Sequence, residues 1–227
     1  MATFDSLVKE ILPYVPGCPE TLVKSNLRAA TIEFCEKSKA FVKDLDPITT
    51  ASGTYEYDFD QPVGTSVHSI LWVIYDGEDL DPISPRSLEL NFPDWRDRSS
   101  TPKVYLQKDA DKFWLIPIPN STLANAIQMS VALKPTRTAS TISTAFSSDY
   151  RDGILYGTLY RLLRMPSRAW SDMYASADYL GLFNQQVAEA ELRARGGDLG
   201  VRRLVKYRGV GLTKRKRYKK YGMEIDY

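Results

Sequence analysis

The stretch Ile127-Gln128-Met129-Ser130-Val131-Ala132-Leu133 decides how this chain folds. Its large apolar side chains fall at every second position, the period of a strand that turns one face to a core and the other away from it. Tyr55, Tyr57 and Phe59 alternate with Glu56 and Asp58 in the same way. Between these segments, residues 67–75 and 112–116 are richer in apolar side chains, as strands of a sandwich or barrel are, and Asp76-Gly77 is a hairpin-turn dipeptide. Residues 82–102 hold Pro85, Pro93 and the run Asp94-Trp95-Arg96-Asp97-Arg98, too irregular for either element, so a long loop is expected there. Residues 49–133 therefore read as β structure.

Helical grammar flanks this region on both sides. Phe4, Leu7, Val8, Ile11, Leu12 and Val15 recur at three- and four-residue intervals and give a helix one apolar stripe, with Thr3 as its N-cap and Pro13 and Pro16 as its stop. After the Pro16-Gly17 turn, Pro19 sits where a helix start tolerates a missing N–H, and Val23, Leu27, Ala30, Phe34 and Phe41 carry a second stripe. That helix is expected to reach about Lys43, before Asp46-Pro47 ends it. On the far side, Ser147 or Ser148 is placed to cap a helix through Leu155, Leu159, Leu162 and Leu163 that stops at Pro166. A last helix runs over about 171–195, with Met173, Ala177, Leu180 and Val187 on its apolar side and Gly196-Gly197 as its C-cap.

Each amphipathic helix needs a partner for its stripe, so the expected fold is α+β: a four-helix bundle of two N-terminal and two C-terminal helices, with an antiparallel β sandwich or barrel module looped out of its middle. Residues 1–46 and 146–197 make the bundle in this reading, residues 47–145 the inserted β domain, and residues 198–227 an extended basic C-terminal arm.

The composition, 43% hydrophobic and 11% aromatic over 227 residues, is that of a chain able to bury a core. Residues 1–12 lack a basic region followed by an apolar run, and no stretch has 18 consecutive apolar residues, so neither export nor membrane insertion is expected. Cys18, Cys35 and the single histidine, His68, lack zinc-site spacing, and the two thiols read as packing groups. The acid pairs and runs, Asp58/Asp60, Glu78/Asp79/Asp81 and Asp109/Asp111, fall at turns or strand ends and read as solvated loop acids rather than paired catalytic carboxylates. The Asp76 to Asp81 run lacks the twelve-residue ligand pattern of a calcium loop. His68 alternates with Val67 and is expected at the surface, and the chain has no glycine-rich phosphate loop. No catalytic residue, cofactor site, metal site or small-molecule substrate is expected.

The strongest local signal is charge. Residues 201–223 carry ten Lys or Arg and no acid; the rest of the chain holds twenty basic residues against 28 acidic ones, so a body of net −8 precedes an arm of +10. Gly209, Gly211 and the lack of a coherent stripe argue against a stable helix there. Ten cations interleaved with Tyr207, Tyr218 and Tyr221 fit two kinds of partner, the phosphates and bases of a nucleic acid or an acidic groove on another protein.

Two segments resemble a known family. Pro16-Gly17-Cys18-Pro19-Glu20, with Leu22-Val23 and Leu27-Arg28-Ala29-Ala30-Thr31-Ile32-Glu33-Phe34-Cys35, is similar to the N-terminal signature of tailed-bacteriophage head-to-tail adaptor (connector) proteins. So are Pro102-Lys103-Val104-Tyr105 and Phe113-Trp114-Leu115-Ile116-Pro117-Ile118-Pro119, a strand that ends in Pro-x-Pro. The resemblance covers roughly the first 165 residues, and the size of the β insert brings it nearest to adaptors of short-tailed phages. It implies a virion protein of the head-tail junction, forming a ring of about twelve copies that joins the portal to a tail nozzle or other tail proteins while duplex DNA passes through the bore.

In that setting the arm is expected to meet the portal through Arg202, Arg203, Lys206, Tyr207, Arg208, Lys214, Arg215, Lys216, Arg217, Tyr218, Lys219, Lys220 and Tyr221. Arg215, Arg217, Tyr218 and Tyr221 are its strongest anchor candidates, since Arg and aromatic side chains dominate interface energies. Trp95, Arg96 and Arg98 are a second candidate contact, for a neighbouring subunit or the tail, with a tryptophan folded back over the β module as the alternative. The other functional reading is a sequence-independent nucleic-acid-binding protein that acts through the Lys/Arg/Tyr-rich segment.

Overall fold

The computed structural model describes residues 2–196. In chain order they form β1 (Ala2–Thr3), α1 (Phe4–Ile11), a 3₁₀ turn (Leu12–Tyr14), α2 (Glu20–Ser38), β2 (Val42–Asp44), β3 (Glu56–Asp58), β4 (Thr65–Tyr75), β5 (Glu78–Asp79) and β6 (Asp81–Pro82). Then follow α3 (Pro85–Asn91), β7 (Val104–Gln107), β8 (Lys112–Ile116), β9 (Ile127–Pro135), β10 (Thr141–Ile142), α4 (Thr144–Asp149), α5 (Arg151–Leu163) and α6 (Met173–Gly196).

The class is α+β, but the four-helix bundle and the purely antiparallel module are not what forms. Six α-helices are present among the described residues, and the sheet claims part of the surface that the bundle required. Helix α2 packs on α5, α6 and α1, and it also lies against β9. Ser130 and Ala132 of β9, both buried, share a face with Lys134, whose Nζ meets Glu36 Oε1 of α2 at 2.6 Å. The alternation of residues 127–133 leads one to expect a wet second face. Instead β9 is covered on both sides over most of its length, by α2 on the even-numbered face from Ser130 onward, with Gln128 left exposed, and by the β core on the odd-numbered face, where Ile127, Met129, Val131 and Leu133 are buried.

Strand β9 is also central along the sheet plane, in the order β2-β9-β4-β5, with all pairs antiparallel. The second sheet, β3-β8-β7-β6, contains a parallel pair, β6 with β7, and shares one core with the first through Tyr57, Phe59, Tyr105, Phe113 and Leu115. A two-stranded sheet of β1 and β10 ties the start of the chain to the end of the β region.

Several expected boundaries shift for local reasons. Helix α2 stops at Ser38 rather than near Lys43: Lys39 adopts a left-handed φ of 53°, its N–H caps Cys35 O at 2.9 Å, and residues 42–44 join β9 as β2. The expected long loop over 82–102 contains α3, which starts where Ser84 Oγ accepts from Ser87 N at 3.1 Å and Pro85 occupies the first helical position. The helix expected from Ser147 or Ser148 begins earlier, as α4, and breaks at Tyr150 before α5; the Ser147 hydroxyl donates to Thr144 O and caps nothing. Thr3 is the N-cap of α1 by position, without a side-chain bond to the helix. Asp76 and Gly77 both have positive φ, 47° and 84°, the conformation that a two-residue hairpin turn requires.

The helical core closes around Phe34 of α2, whose ring lies 5.3 Å from Tyr150, 6.1 Å from Phe146 and 6.1 Å from Phe183 of α6. Two glycines of α5 make this approach possible. A Cβ on Gly153 would lie 2.6 Å from the Phe34 ring, and one on Gly157 would lie 2.7 Å from the Phe183 ring and 3.2 Å from Ala30 Cβ. The hydroxyls of Thr31, Ser38 and Thr158, buried on these helices, each donate to the carbonyl four residues back, so these three donors are satisfied within their own helices.

In an exposed helix Gly157→Ala would stabilise by about 1 kcal/mol. Here we expect the opposite sign, a loss of about 1–3 kcal/mol from overpacking between α2 and α6, measured by urea unfolding. A more stable variant would refute the close packing.

Candidate interaction surfaces

The groups that could carry chemistry are dispersed. Asp58, Asp60, Asp79, Asp81, Asp109 and Asp111 are exposed, and Asp109 Oδ1 serves its own turn, accepting from Asp111 N and Lys112 N at 2.9 Å each. Among the described residues no three His, Cys, Asp or Glu side chains come together as a metal-binding group. Cys18 and Cys35 are both free and buried, and burial pushes each thiol above its ordinary range. His68 is half-buried; burial first, and then Lys134, hold its imidazole below the usual range. Among the described residues no helix is long and apolar enough to cross a membrane.

Trp95 is folded back onto the protein. Its side chain is buried with Leu88, Leu106 and Ile116 beneath α3, packed edge-on to Tyr55 and tilted 30° to Trp114 at 5.3 Å. Glu89 of α3 organises the rim of this cluster: it accepts from Trp95 Nε1 at 3.3 Å and from Arg96 at 2.7 and 3.2 Å, and the Arg96 guanidinium lies 4.5 Å above the Trp95 ring. The Arg96 hydrogen bonds, then that from Trp95, hold the Glu89 carboxyl below its ordinary range. Arg96 and Arg98 are exposed while the indole is kept inside, but the Arg96 guanidinium is already held by Glu89 and the Trp95 ring. The arm residues, Arg202 to Tyr221, lie outside the described residues.

A surface that the sequence reading did not single out runs between α2 and α5. A groove of about 490 Å³ is lined by Ser25, Arg28, Ala29, Ile32, Glu33 and Glu36 of α2, with Arg137 beyond β9 and Arg161 of α5. An adjoining depression shares Glu33 and Arg161 and adds Arg164. Glu33 is its electrostatic centre, accepting from Lys37 at 2.6 Å, from Tyr160 Oη at 2.7 Å and from Arg161. Burial raises the Glu33 carboxyl, but the three hydrogen bonds and the Arg161 charge outweigh it and bring the group down to about 2. Arg28, Arg137 and Arg164 have no ion pair among the described residues, and the Nε atoms of Arg28 and Arg161 are shielded from solvent without a hydrogen-bond partner there. The sequence hides this groove because its cations come from three separate elements, each carrying one or two of them.

A scaffold of packed helices and sheets, with its charged groups spread over surfaces and grooves, has the character of a structural interaction protein. The model of the SU10 adaptor protein family matches residues 2–204, and the chain belongs to that family. It is therefore a bacteriophage adaptor, a structural component of the virion from a family that works through contacts with other phage head and tail proteins. No curated protein matches the chain.

The network around Glu33 gives a pH signature. Its folded value lies below the ordinary 4.5, so the stabilisation it contributes is fully present above about pH 4.5 and is lost as the pH falls toward 2. Glu33→Gln should lower stability by about 1–2 kcal/mol at neutral pH, with the gap from wild type closing in thermal melts taken between pH 4.5 and 2. A gap that stays constant over that range would contradict the assigned network.

Proposed function

We propose that copies of this chain form a ring, of about twelve subunits, that joins the capsid portal to the tail and lets duplex DNA pass through its bore. Membership of the adaptor family over residues 2–204 is the observation that carries this reading. The charge distribution supports it. A bore through which DNA slides must not hold phosphates, and the chain outside residues 201–223 has a net charge of −8. In this reading the cationic residues 198–227 dock on an acidic face of the portal, with Arg215, Arg217, Tyr218 and Tyr221 as anchors. Residues 1–46 and 146–197 form the ring's helical part, and the inserted residues 47–145 present Arg96 and Arg98 to a neighbouring subunit or to the tail.

Mixing the full chain with its portal should yield a ring-shaped complex by electron microscopy. Deleting residues 201–227 should weaken portal binding at least about tenfold, a loss of some 1.4 kcal/mol or more. Unchanged binding by the truncated chain would overturn the role of the arm. If the full chain instead binds arbitrary duplex with a steep salt slope, and neutralising Lys214, Arg215, Lys216 and Arg217 abolishes that binding, the arm is a nucleic-acid-binding segment.

A further inference from the structure

The groove between α2 and α5 carries more positive charge than its own acids answer. Lys37 and Arg161 pair with Glu33 and Lys134 pairs with Glu36, which leaves Arg28 and Arg137 of the groove, and Arg164 of the depression beside it, without an ion pair among the described residues. The inverse surface lies on the β4–β5 hairpin, where Asp76, Glu78 and Asp79 are exposed and likewise have no ion pair there.

These two surfaces cannot meet within one copy. Thr65, at the start of β4, pairs with Pro135, and Thr136 N donates to Gly64 O at 2.9 Å, so Arg137 emerges at that end of the β4–β9 ladder. Tyr75 pairs with Ile127 at the opposite end, and the Asp76-Gly77 turn follows it. At about 3.3 Å per residue the two ends are about 30 Å apart, well beyond the screening length at physiological salt. Complementary patches at different places on one molecule produce a heterologous, head-to-tail contact, and such a contact closes into a ring when its rotation permits.

We propose that the acidic hairpin of one copy, Asp76 to Asp79, seats in the α2–α5 groove and the depression beside it on the next copy, where its carboxylates meet Arg28, Arg137 and Arg164. This contact rests on the self-association proposed above and specifies which faces make it. Arginine suits the task because its planar fork binds carboxylates in pairs and sheds water more readily than an ammonium.

Reciprocal charge reversal in the full chain tests it. One variant carries Arg137→Glu and Arg164→Glu, both at exposed positions; the other carries Glu78→Lys and Asp79→Lys, with Asp76 kept because its positive φ serves the turn. Self-association is read by sedimentation velocity, alone and in the presence of portal, and thermal melts verify that each variant folds. Each variant alone should associate at least about tenfold more weakly than wild type, and an equimolar mixture should recover association, because each copy's hairpin then meets a groove of opposite sign.

A second readout is disulfide capture between a Ser25→Cys copy and a Glu78→Cys copy, expected only when the two are mixed. Wild-type association that neither variant weakens, or a mixture that fails to recover and to cross-link, would overturn the contact and leave the ring standing. A wild-type chain that never associates, with or without portal, would overturn the ring and the contact together.

Discussion

The structure depends on the burial of one strand on both faces. Strand β9 presents Ile127, Met129, Val131 and Leu133 to the core shared by the two four-stranded sheets, and Ser130 and Ala132 on its other side, where α2 lies. Small residues on that second face let the helix come close, and the Lys134–Glu36 pair marks where its charged edge meets the strand. Because β9 also pairs with β2 on one side and β4 on the other, the helical and β parts are bound by backbone hydrogen bonds as well as by packing. A linker between two independent units would leave these groups exposed to water, at a cost in both apolar area and unpaired backbone.

The helical side relies on the absence of side chains. Gly153 and Gly157 let α5 sit against the rings of Phe34 and Phe183, so the large aromatic groups fill the space between helices instead of holding them apart. The same helix carries Arg161 at its outer edge, with Arg164 just past its end, where Glu33 of α2 gathers Lys37, Tyr160 and Arg161 around one carboxylate. Packing that brings α2 and α5 together thus also builds the groove beside them. The core and the candidate contact surface are two faces of one helix pair.

For a virion adaptor, assembly is the activity, and the fold distributes charge accordingly. Acids face out from the β4–β5 turn, cations line the groove at the far end of the same ladder, and the densest cationic run lies near the end of the sequence. Separation of opposite charge along a rigid sheet favours contacts between molecules over contacts within one. In the ring proposed above, these separated charges would supply the directional, head-to-tail surfaces that closure requires.

The sequence by itself determined the kinds of element and their order. Period-two stretches became β3 and β9, the apolar-rich runs became β4 and β8, the 3.6-residue stripes became α1, α2, α5 and α6, and Asp76-Gly77 became the turn between β4 and β5. It also carried the family, through the proline-bounded segments near residues 16–35 and 102–119 and without a chemical site to confuse them. Only the tertiary structure decided what covers each element. Alternation in β9 could not reveal that α2 would take its second face, since serine and alanine suit a wet surface and a close helix equally well. In β4 the bulges between Val67 and Ser69 and between Ile70 and Trp72 break the alternation and leave Leu71 and Trp72 both exposed. Helix α3 was hidden by its prolines, one of which starts it. The arginine groove was illegible for a related reason: periodicity reports neighbours along one element, whereas Arg28 and Arg137 come to line one groove, with Arg164 in the depression beside it, only when separate parts of the chain pack.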